Sequence, residues 1–201
     1  MTRDQSGRPS GPPAGLGHAL DQLSDLRDEL LARVGSLPEE AREARPPETP
    51  TAWSPTQVLQ HLHLVEAMVL ERMPEVGEGL ASVSSSRNKD RGIGTRIRHT
   101  LGALAVRVVF RLGLRVRVPS QRVSPDPPLG FSEAASAWRT TGAELASRLE
   151  EAFARAPTAP TMRHPVSGPL TAEGTTRFLL EHARHHARQL DRLGVPRVPT
   201  D

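Results

Sequence analysis

The chain has 201 residues, a formal net charge of +3 and no cysteine, so disulfides, thiolate metal sites and a cysteine nucleophile are all excluded. Its length suits one domain with a sizeable core. Aromatic residues make up only 3% of the chain. Because strands favour aromatic and β-branched residues, this composition favours an aliphatic helix bundle. Any metal would have to be held by His, Asp or Glu.

The chain starts with a segment rich in Gly, Pro and polar side chains, residues 1–17, which predicts a disordered tail. This segment has no apolar core of the kind that a signal peptide needs. The most apolar run lies over residues 101–118, and four arginines interrupt it, so we do not expect it to span a membrane. We therefore expect a cytoplasmic protein without a membrane partner.

Two helices are predicted in the first third of the chain. Leucines at three- and four-residue spacing indicate a helix over residues 18–34, which a charged, proline-containing connector follows. The second helix has the clearest start, because Ser54, Pro55 and Gln57 provide an N-cap, a first-turn proline and an S-x-x-Q capping box. We expect this helix to end before Pro74.

Three more helices are predicted, at residues 95–112, 132–154 and 171–193. The first of these is Arg-rich, with its arginines on the solvent side, and the second has Ser132 as its expected N-cap. Residues 116–130 carry four prolines and are expected to be extended or irregular, and the proline-rich residues 156–170 are expected to form a loop. The predicted fold is therefore all-α.

The last predicted helix carries the most informative pattern. His182 and His186 are four residues apart, so their imidazoles lie on one helical face and can converge on one metal ion. Both follow the apolar stripe of that helix. His61 lies on the stripe of Val58 and Leu62 in the second predicted helix and is a third candidate ligand. Three imidazole ligands would leave a position open at the metal for water or a substrate.

Several neighbouring polar residues have more than one interpretation. The spacing H-x-x-x-H alone is weak evidence, because the histidines of the last helix could instead lie on a solvated, Arg-rich face. His63 and His185 are close in sequence to candidate ligands, and we assign them as outer residues. Gln189 could fix the tautomer of a ligand or simply satisfy backbone groups. We expect His164 to bond to nearby backbone rather than to act as a fourth ligand.

An ordered set of motifs extends this pattern along the chain. Trp53-Ser54 is followed by Val58-Leu59-Gln60-His61-Leu62, and His182, His186 and Gln189 come later at matching spacing. Residues 163–173 read RHPVSGPLTAE, which is similar to an HP-x-x-G-x-L-T-x-E run that leads into a last helix. Together these motifs resemble the DinB-like superfamily of four-helix bundles that bind a divalent metal through three histidines.

The resemblance implies a metal site and a domain organisation. It implies that His61, His182 and His186 are the ligands, with Zn, Ni, Mn or Fe as the metal. It also implies a DinB-like four-helix bundle domain over residues 18–195, with the Arg-rich helical segment as an addition. A disordered N-terminal tail and a short tail at 196–201 would flank this domain.

The family includes metal-dependent transferases that join a low-molecular-weight thiol to an electrophile, and this is the first function that the resemblance implies. Arg184 and Arg188 would then bind the carboxylates of an acidic thiol. One alternative is a metal-dependent hydrolase, although neither Glu66 nor Glu181 lies clearly on the ligand face as a general base. Another is a non-catalytic stress-response binding module. We expect a small-molecule substrate and a homodimer.

Two segments depart from the family pattern. Residues 174–176 read GTT where relatives usually carry a large apolar residue, so we expect looser packing there. Residues 96–122 contain seven arginines, which could suggest binding to nucleic acid or to an anionic membrane. Aromatic stacking residues are almost absent, however, and no recognition motif is present, so we do not expect a nucleic-acid partner.

Overall fold

Four long helices form a bundle in the parts of the chain that the computed structural model describes, residues 14–49, 51–73, 121–164 and 167–197. The elements are α1 (Ala14–Gly35), α2 (Glu39–Glu43), α3 (Pro55–Arg72), a 3-10 turn (Gln121–Val123), α4 (Phe131–Arg155), β1 (Pro160–His164), β2 (Gly168–Thr171) and α5 (Ala172–Arg192). The closest helix pairs are α3 with α4 and α1 with α5. The prediction of an all-α fold is confirmed.

Some predicted elements fall outside the described residues. These are most of the N-terminal tail and the Arg-rich helix at 95–112 with the loop before it. Among the helices that the structure does describe, none combines the length and the apolar character needed to cross a membrane.

The core is aliphatic, as the composition predicted. Trp138 is fully buried together with leucines from each long helix, namely Leu16, Leu30, Leu31, Leu59, Leu145, Leu149, Leu179 and Leu190. The residues of α4 that were predicted to face inward, Ala135, Trp138, Leu145 and Leu149, are all buried. Burying one such large apolar side chain contributes about 1.5–3 kcal/mol, so these stripes decide which helix faces meet.

The first helix begins earlier than predicted. Helix α1 starts at Ala14, four residues before the predicted start at His18, so its first turn lies within the predicted tail. Leu16, in this turn, is fully buried. The Gly- and Pro-rich composition indicated disorder, but burial of this leucine stabilises one more turn of a helix that has already formed.

The last described residues are held against α1. The buried guanidinium of Arg33 donates to the carbonyls of Val195 and Pro196, at 3.0 and 3.2 Å, and to the carboxylate of Asp191 at 2.6 Å. Arg197 donates to the same carboxylate at 2.8 Å. The segment predicted as a tail at 196–201 therefore begins with two residues that contact the bundle.

The predicted start of α3 is confirmed in detail. The Gln57 amide donates to Ser54 Oγ at 3.2 Å, and the Ser54 amide donates to Gln57 Oε1 at 3.1 Å, which completes the capping box. Pro55 occupies the first helical position. These contacts fix the start, and hence the rotation, of the helix that carries His61.

The predicted N-cap of α4 is wrong. The cap is Gly130, which offers no side-chain hydrogen bond, and the helix starts at Phe131 rather than at Ser132. The first free amide, that of Phe131, donates to Glu43 Oε1 at 3.2 Å. Glu43 ends α2, a short helix within the segment predicted to be a connector. A distant carboxylate thus replaces the local cap, and no sequence pattern reveals such a partner.

The prediction that residues 156–170 form a loop is wrong for most of this segment. It contains strands β1 and β2, which pair antiparallel with His164 opposite Gly168 and Arg163 opposite Pro169. A two-stranded hairpin consists of edges alone, so prolines are tolerated there. Gly168 has a φ of 76°, which an L side chain rarely adopts. The strand β2 leads directly into α5, whose N-cap is Thr171.

A buried ion pair joins α1 to α3. Arg27 donates to both carboxylate oxygens of Glu66, at 3.0 and 3.3 Å, and both residues are buried. The guanidinium also lies over the ring of Trp138, 5.6 Å from its centroid. On the α4 side it is packed against Gly142, where an added Cβ would lie 2.2 Å from Arg27 Cζ. Gly142 is therefore required by the close approach of this side chain.

We expect Gly142→Ala to lower the free energy of unfolding by about 2–4 kcal/mol, measured by urea denaturation. Alanine's higher helix propensity would contribute about 1 kcal/mol in favour of the variant. Overpacking costs about 1–3 kcal/mol, and displacing one partner of a buried ion pair costs about 3–5 kcal/mol, so the steric conflict dominates.

Gly130→Ala is the matched control, because its added Cβ meets nothing within 4 Å. It should change the free energy of unfolding by less than about 1 kcal/mol. A Gly142→Ala variant as stable as the native protein would show that Arg27 can move without cost, contrary to this interpretation.

Candidate metal centre

Three histidines from two helices converge in the core. His61 of α3 lies with its Nε2 atom 3.4 Å from Nε2 of His182, and Nε2 of His186 lies 3.1 Å from the same atom. The candidate ligand atoms of all three residues lie within 4.8 Å of one another. Their exposed fractions are 5%, 8% and 6% for His61, His182 and His186, so the cluster is buried. The spacing of four residues on α5 does place both of its imidazoles on one face, as predicted.

The outer nitrogens of His61 and His186 each bond to an oxygen acceptor. His61 Nδ1 donates to the carbonyl of Val123 at 2.7 Å, and His186 Nδ1 donates to Gln189 Oε1 at 2.8 Å. Because these acceptors are oxygens, the hydrogen of each neutral ring must lie on Nδ1. The Nε2 atoms of His61 and His186 therefore carry lone pairs that are directed into the cluster.

The cluster is electrically neutral at neutral pH. Burial lowers the pKa of His61 to about 4, although the bond to Val123 acts in the opposite direction. Burial, together with the neighbouring imidazoles, lowers the pKa of His182 and His186 well below 6.5. Desolvation disfavours the charged form of a base, which is the physical cause in all three cases.

These residues fit a cation. The Nε2 atom of a neutral His182 can donate a hydrogen bond to His61 or to His186, but not to both. In at least one of these two pairs, the Nε2 lone pairs therefore face each other. Two imidazole nitrogens bound to one tetrahedral zinc ion at about 2.0–2.1 Å are separated by about 3.3–3.4 Å. The observed distances of 3.1 and 3.4 Å between Nε2 atoms are close to this separation. Two of the three separations in the cluster therefore match those of a metal site, and all candidate ligand atoms lie within 4.8 Å of one another.

Aromatic rings enclose the cluster. The ring of Trp53 lies 4.6 Å from that of His61 and 6.2 Å from that of His186, centroid to centroid. Phe178 stacks on His182 with an interplanar angle of 9° and a centroid distance of 6.0 Å. Apolar rings at this position limit access of water to the candidate ligands and lower the local dielectric.

The outer residues assigned from sequence have different surroundings. Gln189 contacts a candidate ligand directly, through the bond to His186. His185 lies edge-on to His186, with ring centroids 5.1 Å apart. His63 is half-buried, and its Nδ1 has no hydrogen-bond partner among the described residues. His164 accepts a hydrogen bond from the amide of Ser167 at 3.0 Å, which is the local backbone contact that was predicted.

Some of the charged residues that were considered for the site form hydrogen bonds with residues other than the three histidines. Arg184 donates to Glu181 at 2.9 Å and to Gln22 of α1 at 3.2 Å. Glu66 is held by Arg27. Arg188 is half-buried on α5, one residue before Gln189. The substrate-binding role of Arg184 and Arg188 stays a prediction, and the two glutamates have partners other than the three histidines.

The expectation of looser packing at residues 174–176 is wrong. Thr175 and Thr176 are both fully buried. Thr175 Oγ1 is 3.1 Å from Thr161 Oγ1 of β1, and Thr176 Oγ1 donates to the Ala172 carbonyl at 2.9 Å. Both threonines therefore lie in the interior, and each hydroxyl has a partner.

Sequence reasoning missed three residues around the cluster: Val123, Trp53 and Phe178. Phe178 is four residues before His182, so helical spacing could have identified it. Trp53 was noted only as part of a motif. The contribution of Val123 is its backbone carbonyl, for which no side-chain pattern exists.

For the protein stripped of metal by a chelator, we expect the free energy of unfolding to fall as the pH decreases from about 6.5. The unfolded chain protonates these histidines near pH 6.5, whereas the folded chain keeps them neutral down to about 4 in the case of His61. The unfolded state therefore binds more protons, and His61 alone should cost about 2 kcal/mol by about pH 5.

Urea denaturation at several pH values measures this dependence. Carboxylates also titrate at low pH, so the native protein is compared with His61→Gln. This variant lacks one of the three buried histidines that the unfolded chain protonates. Its free energy of unfolding should therefore fall less steeply as the pH decreases. Equal slopes for the two proteins between about pH 5 and 6.5 would contradict the neutral state of His61.

Comparison with known families agrees with this geometry. The model of the DinB superfamily matches residues 22–190, a range that includes all three histidines and Gln189. Searches of curated proteins and of solved structures gave no significant match. The matched range covers most of the chain and both helices that carry the cluster. The chain, a helical bundle with three convergent histidines, belongs to the DinB superfamily.

Proposed function

We propose that this protein binds one divalent metal ion through the Nε2 atoms of His61, His182 and His186. The observation that carries this proposal is the convergence of three buried imidazoles, two of which have their Nδ1 hydrogen committed to an oxygen. Zn, Ni, Mn and Fe are the candidate metals. The donor set favours Zn, Ni or Fe, because Mn prefers oxygen ligands.

We further propose that the metal serves a transferase reaction with a low-molecular-weight thiol. Three protein ligands leave a position for a fourth ligand, and a thiol that binds a cation there ionises to the thiolate. The chain contains no cysteine that could occupy this position instead. The superfamily includes transferases of this kind, which supports the proposal.

The residues around the three histidines would support such a reaction in distinct ways. Val123 and Gln189 would hold two imidazoles in the orientation that ligation requires, as outer acceptors commonly do. Trp53 and Phe178 would exclude water from the thiolate. Arg184 and Arg188, each two residues after a candidate ligand on α5, would bind a carboxylate of the thiol.

A hydrolytic reaction has less support. It needs a general base near the fourth position, and Glu66 and Glu181 are paired with Arg27 and Arg184. A homodimer and a non-catalytic stress-response role remain predictions from the sequence. Metal binding without any use of thiols would favour the non-catalytic role.

We expect protein purified without a His-tag to contain about one equivalent of a divalent metal, measured by elemental analysis. His61→Ala, His182→Ala and His186→Ala should each lose most of it, because two imidazoles bind far more weakly than three. His18→Ala is the control, since His18 is exposed and bonds only to Gln22 among the described residues. Equal metal content in the control and the three variants, or none after reconstitution, would contradict the proposal.

We expect the cobalt-substituted protein to show a sulfur-to-metal charge-transfer band when a small thiol is added. The metal-loaded protein should also accelerate the consumption of that thiol by an electrophile such as chlorodinitrobenzene. His182→Ala should lose both signals, whereas His18→Ala should keep them. If a broad panel of small thiols gives neither signal with the metal-loaded protein, the proposed thiol reaction is wrong. The proposal of a metal site would not be contradicted by that result.

A further inference from the structure

We propose that Gln57 and Gln60 are positioning residues, which hold the segment 123–129 against α3 so that the Val123 carbonyl fixes the tautomer of His61. This inference deepens the proposed function, because it concerns how one of the three ligands is prepared for a metal. The structural part of it, the control of the His61 ring, can be tested without any metal.

Gln60 is fully committed to this segment. Its Nε2 donates to the carbonyl of Pro127 at 2.9 Å, and its Oε1 accepts from the amide of Leu129 at 3.0 Å. Its exposed fraction is 4%. Both ends of the amide are used on the same stretch of chain, and a buried amide that loses such partners costs free energy. Gln60 thus fastens the distal part of the segment to α3.

Gln57 serves two partners at once. Its Oε1 completes the capping box with Ser54, while its Nε2 donates to the carbonyl of Pro125 at 3.1 Å. The same Nε2 lies 3.4 Å from Asp126 Oδ1. Its exposed fraction is 2%. The residue that fixes the start of α3 therefore also binds the middle of the segment.

The three contacts form a regular series. The carbonyls of every second residue, Val123, Pro125 and Pro127, each accept one hydrogen bond from a side chain of α3. The donors are His61, Gln57 and Gln60. Gln60 and His61 lie three and four residues after Gln57, which places all three donors near one helical face. The two proline acceptors have restricted φ and no amide of their own. A shift of the segment would therefore alter all three bonds together.

The outer acceptors of His61 and His186 come from different parts of the chain. The acceptor for His186 is Gln189, one turn further along the same helix. The acceptor for His61 is 62 residues away in sequence, on the segment that the glutamines hold. Loosening this segment should therefore affect the tautomer of His61 and leave that of His186 unchanged. This difference provides an internal control.

The experiment uses isosteric variants of the full chain, Gln57→Glu and Gln60→Glu. Each keeps the oxygen that accepts from a backbone amide and loses the Nε2 hydrogen that binds the segment. The metal-free protein, with ¹⁵N-labelled histidine, is observed by long-range ¹H–¹⁵N NMR at about pH 7.5, above the ordinary pKa of histidine. Gln22→Ala is the control, since Gln22 bonds to His18 and Arg184 on the other helix pair.

In the native protein and the control, His61 should be present only as the Nδ1–H tautomer. In both variants we expect a mixed population with Nε2–H, while His186 keeps its native signals. Metal affinity, measured separately, should fall about 10–100-fold, the usual cost of losing an outer partner.

A merely structural role predicts a different result. The variants would then lose stability in urea while the His61 signals of the folded protein stay native, and this outcome would overturn the inference. The two variants act at different carbonyls, so one that does not fold leaves the other to decide. If the tautomer changes but no metal binds to the native protein, the positioning role stands and the proposed metal function fails.

Discussion

Imidazole nitrogens that direct their lone pairs at one another repel unless a cation or a proton lies between them, and this constraint organises the centre of the protein. Burial disfavours the proton, since it lowers the pKa of all three histidines. Outer acceptors direct the ring hydrogens of His61 and His186 away from the cluster. These lone pairs suit the divalent ion proposed above, and the packing of α3 near α5 sets the distances between them.

Helix α3 buries several polar side chains. Gln57, Gln60, His61 and Glu66 are all buried in it, together with the apolar stripe that meets α4. Each of these groups has a partner from another part of the chain, which a buried polar group requires. The glutamines bind the segment 123–129, His61 faces α5, and Glu66 pairs with Arg27 of α1. This helix therefore joins the other elements of the bundle, and the aliphatic core around it offsets the cost of ordering them.

Patterns of neighbouring residues predicted the features that depend on contacts within one helix or one turn. The capping box fixed the start of α3, and the leucine stripes predicted the long helices because burial of one face requires that periodicity. The four-residue spacing of His182 and His186 placed both rings on one face, and the choice of His61 over His63 followed from the apolar stripe. Errors arose where a distant group replaced a local signal: Glu43 in place of an N-cap for α4, burial of Leu16 beyond the expected start of α1, and strand pairing in a proline-rich segment.

The sequence by itself determined the helices of the bundle, their buried faces and the three histidines that meet between them. Only the tertiary structure decided which carbonyl fixes the ring of His61, which arginine neutralises Glu66 and which rings enclose the cluster. Side-chain periodicity indicates which face of a helix is buried, because the buried side chains lie about one turn apart. It does not indicate which backbone carbonyls or distant residues a side chain will contact, since these meet only after the elements have packed.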